Sequence, residues 1–316
     1  MRTVQTVLGP IDVRELRTVL SHEHVITSIG EDYRHYPWMF DHEATRQRSI
    51  EDLVRARASG VDTLIDLTTP DLGRDVELVR DVAAASGMHV VVATGIWLQI
   101  PFSFWFRGPD EIADIFVREI EVGIGDTDIK AGVIKVAADT QTGGMTSQTE
   151  QILRGAARAL MRTGCPISNH QSAEQQLGAR QVEILREEGA AMDRVCIGHS
   201  ADTTDVAYLE SLLNAGVFLS MDRYFDNPDW PDRNATVKAL VDRGWAGRLM
   251  LGHDQSPEPV RAGAPPEPPM TPAPYLTIAT VAIPALRADG VSDDAIDTML
   301  RRAPARFLSG EDLPAG

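Results

Sequence analysis

Short β-branched apolar runs alternate with longer amphipathic segments along the whole chain, and this rhythm restricts the fold more than any other feature. The runs are TVLSHEH (18–24), DTLIDLT (62–68), HVVVATG (89–95), AGVIKVAA (131–138), CPISNH (165–170), VCIGH (195–199), VFLSMD (217–222) and LMLGHD (249–254). Between them lie segments with a 3.6-residue apolar period that close on a glycine, such as SIEDLVRARASG (49–60), GRDVELVRDVAAASG (73–87) and TEQILRGAARALMRTG (149–164). A glycine after the last periodic residue is the usual helix stop. Eight strands in a strand-then-helix order predict an α/β fold, a closed (β/α)8 TIM barrel rather than an open doubly wound sheet. All 316 residues fit one such domain, spanning 1–316. Two segments stand outside the rhythm. TVQTVLGPIDVREL (3–16) predicts a short N-terminal hairpin about LGPI, and 256–275 holds eight of the chain's 19 prolines and predicts a lid-like loop at the barrel mouth.

Composition narrows the function. The chain is 43% hydrophobic and 24% charged, with a formal net charge of -16. That excess of acid, with no Lys/Arg-rich run, argues against a nucleic-acid partner and leaves a small-molecule substrate as the expectation. Cys165 and Cys196 are too few for a disulfide framework and lie in apolar runs, so both are expected reduced and buried, in a cytoplasm. The opening residues lack the apolar stretch of a secretory signal. VVVATGIWLQIPFSFWF (90–106) is too short and too polar to span a membrane, and predicts a strand followed by an aromatic loop.

In a barrel of this kind the chemistry lies at the C-terminal ends of the strands. Those ends carry His22 and His24 on the first strand, Lys135 on the fourth, His170 on the fifth, His199 on the sixth and Asp254 on the eighth. His22 and His24 are two residues apart, so both imidazoles point to one side of a strand and supply half of a tetrahedral metal shell. A His-x-His pair also occurs in ordinary hydrogen-bonded corners, and the other strand ends decide between the readings. Of the remaining histidines, His35 and His42 are expected in a solvated polar loop, His89 at the opposite end of its strand, and His253, pointing away from the barrel interior beside Asp254, either in packing or as a support behind the site residues. Four imidazoles and a carboxylate suit one or two divalent ions, and two ions need an anion between them. Lys135 as an ammonium cannot coordinate, and its bland reading is a lysine paired with a carboxylate. A neutral amine at that position would react with CO2 to give a carbamate that bridges both ions.

LSHEHV, AGVIKVAAD, ISNHQSAE, IGHSADTTD and LGHD resemble, in order, the metal motifs of the phosphotriesterase branch of the amidohydrolase superfamily, most closely the phosphotriesterase-like lactonases. The resemblance runs from VQTVLGPI near the start to the segment ending ARFLSG. It implies that His22, His24 and Asp254 hold a buried ion, that His170 and His199 hold a more exposed one, and that carbamylated Lys135 joins them together with a hydroxide. The two cofactor ions would be Zn, Co, Fe or Mn. Asp254 is then placed to take the proton of the hydroxide. Asp222-Arg223-Tyr224 looks like the lactonases, in which this arginine lies beside the site, whereas a plain surface ion pair is the bland reading of Arg223. Trp97 stands where those lactonases often have tyrosine and specialised phosphotriesterases have tryptophan. The aromatic residues Phe102, Phe104, Trp105 and Phe106 are expected buried, in the contact of a homodimer. The implied activity is hydrolysis of N-acyl-homoserine or related lactones, a quorum-quenching reaction, with side activity on phosphotriesters. The alternatives are a dedicated phosphotriesterase and a barrel that only binds a ligand, the latter at odds with an intact ligand set.

Overall fold

The computed structural model describes residues 2–28, 32–224, 230–265 and 273–313. It opens with an antiparallel hairpin of β1 (Thr3–Thr6) and β2 (Gly9–Asp12). The turn falls on Val7 and Leu8, the latter being the first residue of the LGPI expected to form it, and Gly9 starts the return strand at φ 108°. Eight parallel strands follow: β3 (Val19–Glu23), β4 (Thr63–Asp66), β5 (His89–Gly95), β6 (Val133–Ala138), β7 (Ile167–Gln171), β8 (Val195–Ile197), β9 (Phe218–Met221) and β10 (Leu249–Leu251). They are neighbours in sequence order from β3 to β10, which is barrel topology and not the reversing order of a doubly wound sheet.

Period-two alternation assigns each strand two faces. Val19, Ile65, Val91, Val133, Cys196, Phe218 and Met250 form one buried cluster with Val4 and Val13 of the hairpin region and Phe307. These side chains fill the barrel interior below the site. Their neighbours Leu20, Leu64, Val90, Ile134, Ile167, Val195, Leu219 and Leu249 pack outward with the helices. Lys135, two residues beyond Val133, therefore points inward above that plug.

The helices are α1 (Asp32–His35), α2 (His42–Ala58), α3 (Val76–Ser86), α4 (Pro109–Glu121), α5 (Ser147–Thr163), α6 (Leu177–Glu187), α7 (Val206–Asn214), α8 (Trp230–Asp242), α9 (Ile283–Ala288), α10 (Asp293–Asp297) and α11 (Ala303–Ser309). Local chemistry sets their ends. Asp41, Asp75, Thr146 and Asp205 cap α2, α3, α5 and α7 by accepting from backbone N–H groups of the first turn. Gly87 and Gly164 end α3 and α5 in the left-handed region. No helix among the described residues is long and apolar enough to cross a membrane.

Several expectations need correction. His35 closes α1 and His42 opens α2, so these exposed histidines belong to helices rather than a loop. The sixth and eighth strands stop at Ile197 and Leu251, short of His199 and Asp254, because both of those residues take a positive φ that leaves the pleat. Within one chain Phe102 and Phe106 are 70% and 77% exposed on a short surface turn and Phe104 packs against the core, so burial of the aromatic group as a whole would come only from a contact between subunits. Residues 266–272 of the Pro-rich segment lie outside the described residues; its first part runs along the mouth, where Thr27 N–H donates to Pro257 O.

The seam between β10 and β3 is closed beyond the strand ends. Asp254 N–H donates to His22 O at 2.8 Å, and His24 N–H donates to Gln255 O at 2.9 Å. Ser21 Oγ reaches Leu251 O at 3.0 Å. The barrel thus closes through the residues that line its mouth.

Candidate active site

All six expected ligands meet at this mouth. The pairing of β3 with β4 shifts register between Leu20 and Glu23, an irregularity that re-aims the strand so that His22 and His24 face the site. Asp254 Oδ1 lies 3.4 Å from His22 Nε2 and 3.3 Å from His24 Nε2. Lys135 Nζ is 3.1 Å from His22 Nε2, and His199 Nε2 is 2.7 Å from His170 Nδ1. His22, His24 and Asp254 form a group with the spacing of a metal site, and so do His22, His199 and Asp222.

The outward nitrogen of each ring fixes which nitrogen faces in. His22 Nδ1 and His199 Nδ1 both contact the Asp222 carboxylate, at 2.7 and 2.9 Å. His170 Nε2 contacts Asp139 Oδ2 at 2.9 Å, and His24 Nδ1 contacts Thr68 Oγ1 at 2.9 Å. The hydrogen bond from His170 holds the Asp139 carboxyl down at about 2, and at Asp222 the effect of burial is outweighed by the His199 and His22 rings, which hold it well below the ordinary carboxylate range. An ionised carboxylate only accepts, so these three rings carry their protons on the outward nitrogen. His22 Nε2, His199 Nε2 and His170 Nδ1 are then inward lone pairs.

Burial, above all, pushes the His22 ring down to about 4 and the His199 ring to about 3, so both are neutral near pH 7. Two lone pairs facing at 2.7 Å repel unless a cation lies where they converge, and neutral imidazole with carboxylate is the donor set of a divalent metal. Burial also lowers Lys135 to about 8, against the pull of Asp254 and Asp222, which leaves part of the amine neutral near pH 7. At Asp254 burial works upward, and the His22, His199 and His24 rings outweigh it to keep the group a carboxylate.

Arg223 lines the mouth and is not a plain surface pair. Its Nε donates to Asp254 Oδ2 at 3.2 Å, and its NH1 donates to Asp202, which also accepts from Arg233 NH2 at 2.7 Å. Trp97 stands against the opposite side, with its ring edge-on to His170 and its Nε1–H 3.3 Å from His170 Nδ1. The pocket above the ligands, about 180 Å³, is walled by Thr27, Leu72, Trp97, Arg223 and Ser256.

Three of the five non-glycine residues with positive φ among those described are His199 (52°), Arg223 (64°) and Asp254 (56°). Each left-handed residue costs on the order of 1 kcal/mol, and such strain gathers where a site demands it. The sequence reading missed the partners Asp139, Asp222, Thr68, Glu23 and Asp202. Asp139 directly follows one strand-like run and Asp222 ends another, which was a usable signal for a role at the mouth; no sequence signal pairs them with particular rings.

An eight-stranded barrel whose mouth gathers inward imidazoles, a buried lysine and a carboxylate defines a metal-site hydrolase architecture. The chain belongs to the phosphotriesterase family, whose profile matches residues 2–308. It is 40% identical to the phosphotriesterase homology protein of Mycobacterium tuberculosis, an alignment covering 98% of both chains. It is 33% identical to the aryldialkylphosphatase of Saccharolobus solfataricus, over 95% of this chain and 97% of that one. The solved phosphotriesterase of Mycobacterium tuberculosis superposes with a TM-score of 0.88, covering 97% of this chain and 98% of that chain. Members of this family are hydrolases, and this chain is an enzyme of that class.

Proposed function

We propose that the chain is a binuclear metal-dependent lactonase with side activity on phosphotriesters. The observation that carries this reading is Arg223, whose guanidinium borders a narrow pocket while its Nε fixes Asp254. His22, His24 and Asp254 would hold one ion and His170 and His199 the other, with Lys135 as a carbamate between them. Zn, Co, Fe or Mn fits these donors. Two divalent ions bound there supply Lewis acidity and a water activated near neutral pH.

The chain's own residues do the rest. Asp254, kept anionic, accepts a proton at Oδ1 or Oδ2 and passes it to the leaving oxygen. Arg223 cannot take that proton, since a guanidinium stays charged. It therefore orients Asp254 and presents fixed positive charge to an oxygen that gains negative charge. Trp97 and Leu72 supply an apolar wall, which suits the acyl part of a lactone. The slot favours a planar ester carbonyl turning tetrahedral over a bulkier phosphorus centre that is tetrahedral, with four oxygens, from the start.

Trp97 and the aryldialkylphosphatase relative favour the second reading, a dedicated phosphotriesterase. Turnover of N-acyl-homoserine lactones of graded chain length against paraoxon separates the two. The lactonase reading requires the higher kcat/KM on a medium-chain lactone, and Arg223→Ala should harm lactone hydrolysis more; a tenfold or greater preference for paraoxon would reverse the assignment (about 1.4 kcal/mol of differential transition-state binding). The exposed Phe102, Trp105 and Phe106 fit a homodimer contact, and the two free cysteines fit a reducing cytoplasm.

A further inference from the structure

We propose that Glu23, the residue between the two histidines, is a positioning residue that holds Asp254 in its working conformation. The inference rests on the reading of Asp254 as ligand and proton acceptor. Glu23 is fully buried, and its carboxylate receives three N–H donors. His253 N–H donates to Oε1 at 2.7 Å, His253 Nδ1 donates to the same oxygen at 2.8 Å, and Gln255 N–H donates to Oε2 at 3.1 Å. His253 Nε2 accepts from Ile278 N–H at 3.0 Å, which places the ring proton on Nδ1, facing Glu23. All three donors therefore belong to the residues on either side of Asp254.

Asp254 has φ 56°, and its own N–H donates to His22 O. Residues 253, 254 and 255 thus have every backbone N–H pinned to β3, two of the three by one carboxylate. Relaxing Asp254 to a negative φ would turn its side chain away from His22 and His24 and would pull at least one flanking N–H from Glu23. A carboxylate is required because both oxygens must accept. Glutamine keeps the volume but sets an NH2 against an N–H donor, whereas aspartate keeps both acceptors and falls one methylene short.

The test loads metal-free wild type, Glu23→Gln and Glu23→Asp with cobalt(II), following the visible d–d spectrum, the ions bound per chain and the kcat and KM of the loaded proteins. The expected result for Glu23→Gln is an altered cobalt spectrum and a kcat lower by at least ~10²-fold, the size of a lost acid/base, with KM changed much less. Glu23→Asp should recover part of both. A role in packing alone would lower the melting temperature and leave the spectrum and kcat of the loaded protein unchanged. If wild type takes up two ions and Glu23→Gln matches its spectrum and kcat, this proposal alone is overturned; if wild type takes up none, the metal reading falls and the proposal with it. Should Glu23→Gln fail to fold, Glu23→Asp decides, and a wild-type spectrum and kcat in that variant overturn the proposal.

Discussion

Each inward-facing imidazole is governed by the group on its far side, and these partners are unequally shared. Asp222 orients His22 and His199, one ring from each proposed ion, whereas Asp139 serves His170 alone and Thr68 serves His24 alone. Loss of an outer partner typically weakens metal affinity about 10- to 100-fold. Asp139→Ala should therefore weaken the second ion and spare the first, leaving close to one tightly held ion per chain after dialysis against a mild chelator. Asp222→Ala should weaken both. Equal loss of the two ions in Asp139→Ala would contradict the division of ligands. Lys135→Ala separates the bridge from the rings: activity should collapse and return in part with propionate, a carboxylate small enough for the vacated space, and full activity without it would rule out the carbamate. In Asp254→Asn an oxygen ligand remains while the acceptor is lost, so metal content should largely survive as kcat falls by ~10²-fold or more.

At the level of elements, the site depends on how closely neighbouring strands approach. Gly95 ends β5 at φ 114°, and a Cβ there would lie 1.9 Å from Lys135 O, a backbone atom of β6. At the seam, a Cβ on Gly252 would lie 2.8 Å from His22 N. Neither neighbour is a flexible side chain that moves aside. Gly95→Ala should accordingly destabilise the metal-free protein by roughly 3 kcal/mol or more, combining backbone strain with overpacking. Urea unfolding would show this as a lower midpoint at unchanged slope. A loss under about 0.5 kcal/mol, the scatter of an ordinary surface change, would mean that β5 and β6 part easily.

For the molecule as a whole, the proposed ligands come from β3, β6, β7, the β8 end and the β10 end, so metal bound by them would be a tie across the barrel. Ions that bind only the folded chain stabilise it by mass action, about 4 kcal/mol at a thousand times the dissociation constant. Removing them should lower the melting temperature by several degrees, reversibly on reloading, and identical melting with and without metal would count against the assignment. The exposed Phe102, Trp105 and Phe106 carry the other prediction at this scale. Light scattering should report a dimer for wild type, shifted towards monomer by Phe102→Ser with Phe106→Ser; a wild-type monomer would make the surface something else.

The barrel was legible in the sequence because its signal is local. Inward and outward positions alternate within each strand, and helix caps lie within a few residues of the helices they end. The residue types at the strand ends were legible for the same reason, since a strand in this fold places its last side chains at the mouth. What the sequence did not contain is the pairing of those side chains. His22 and Asp222 meet across 200 residues, and Glu23 meets His253 across 230. Neither contact leaves a mark in either local stretch. The left-handed backbone at His199 and Asp254 likewise ended two expected strands early, because β-like composition cannot register a conformation imposed by distant hydrogen-bond partners. Alternation and spacing determined which residues reach the mouth; contacts between strand ends decided which nitrogen of each ring faces inward, and closure of the seam decided how Asp254 is held, because only closure brings the first and last strands together.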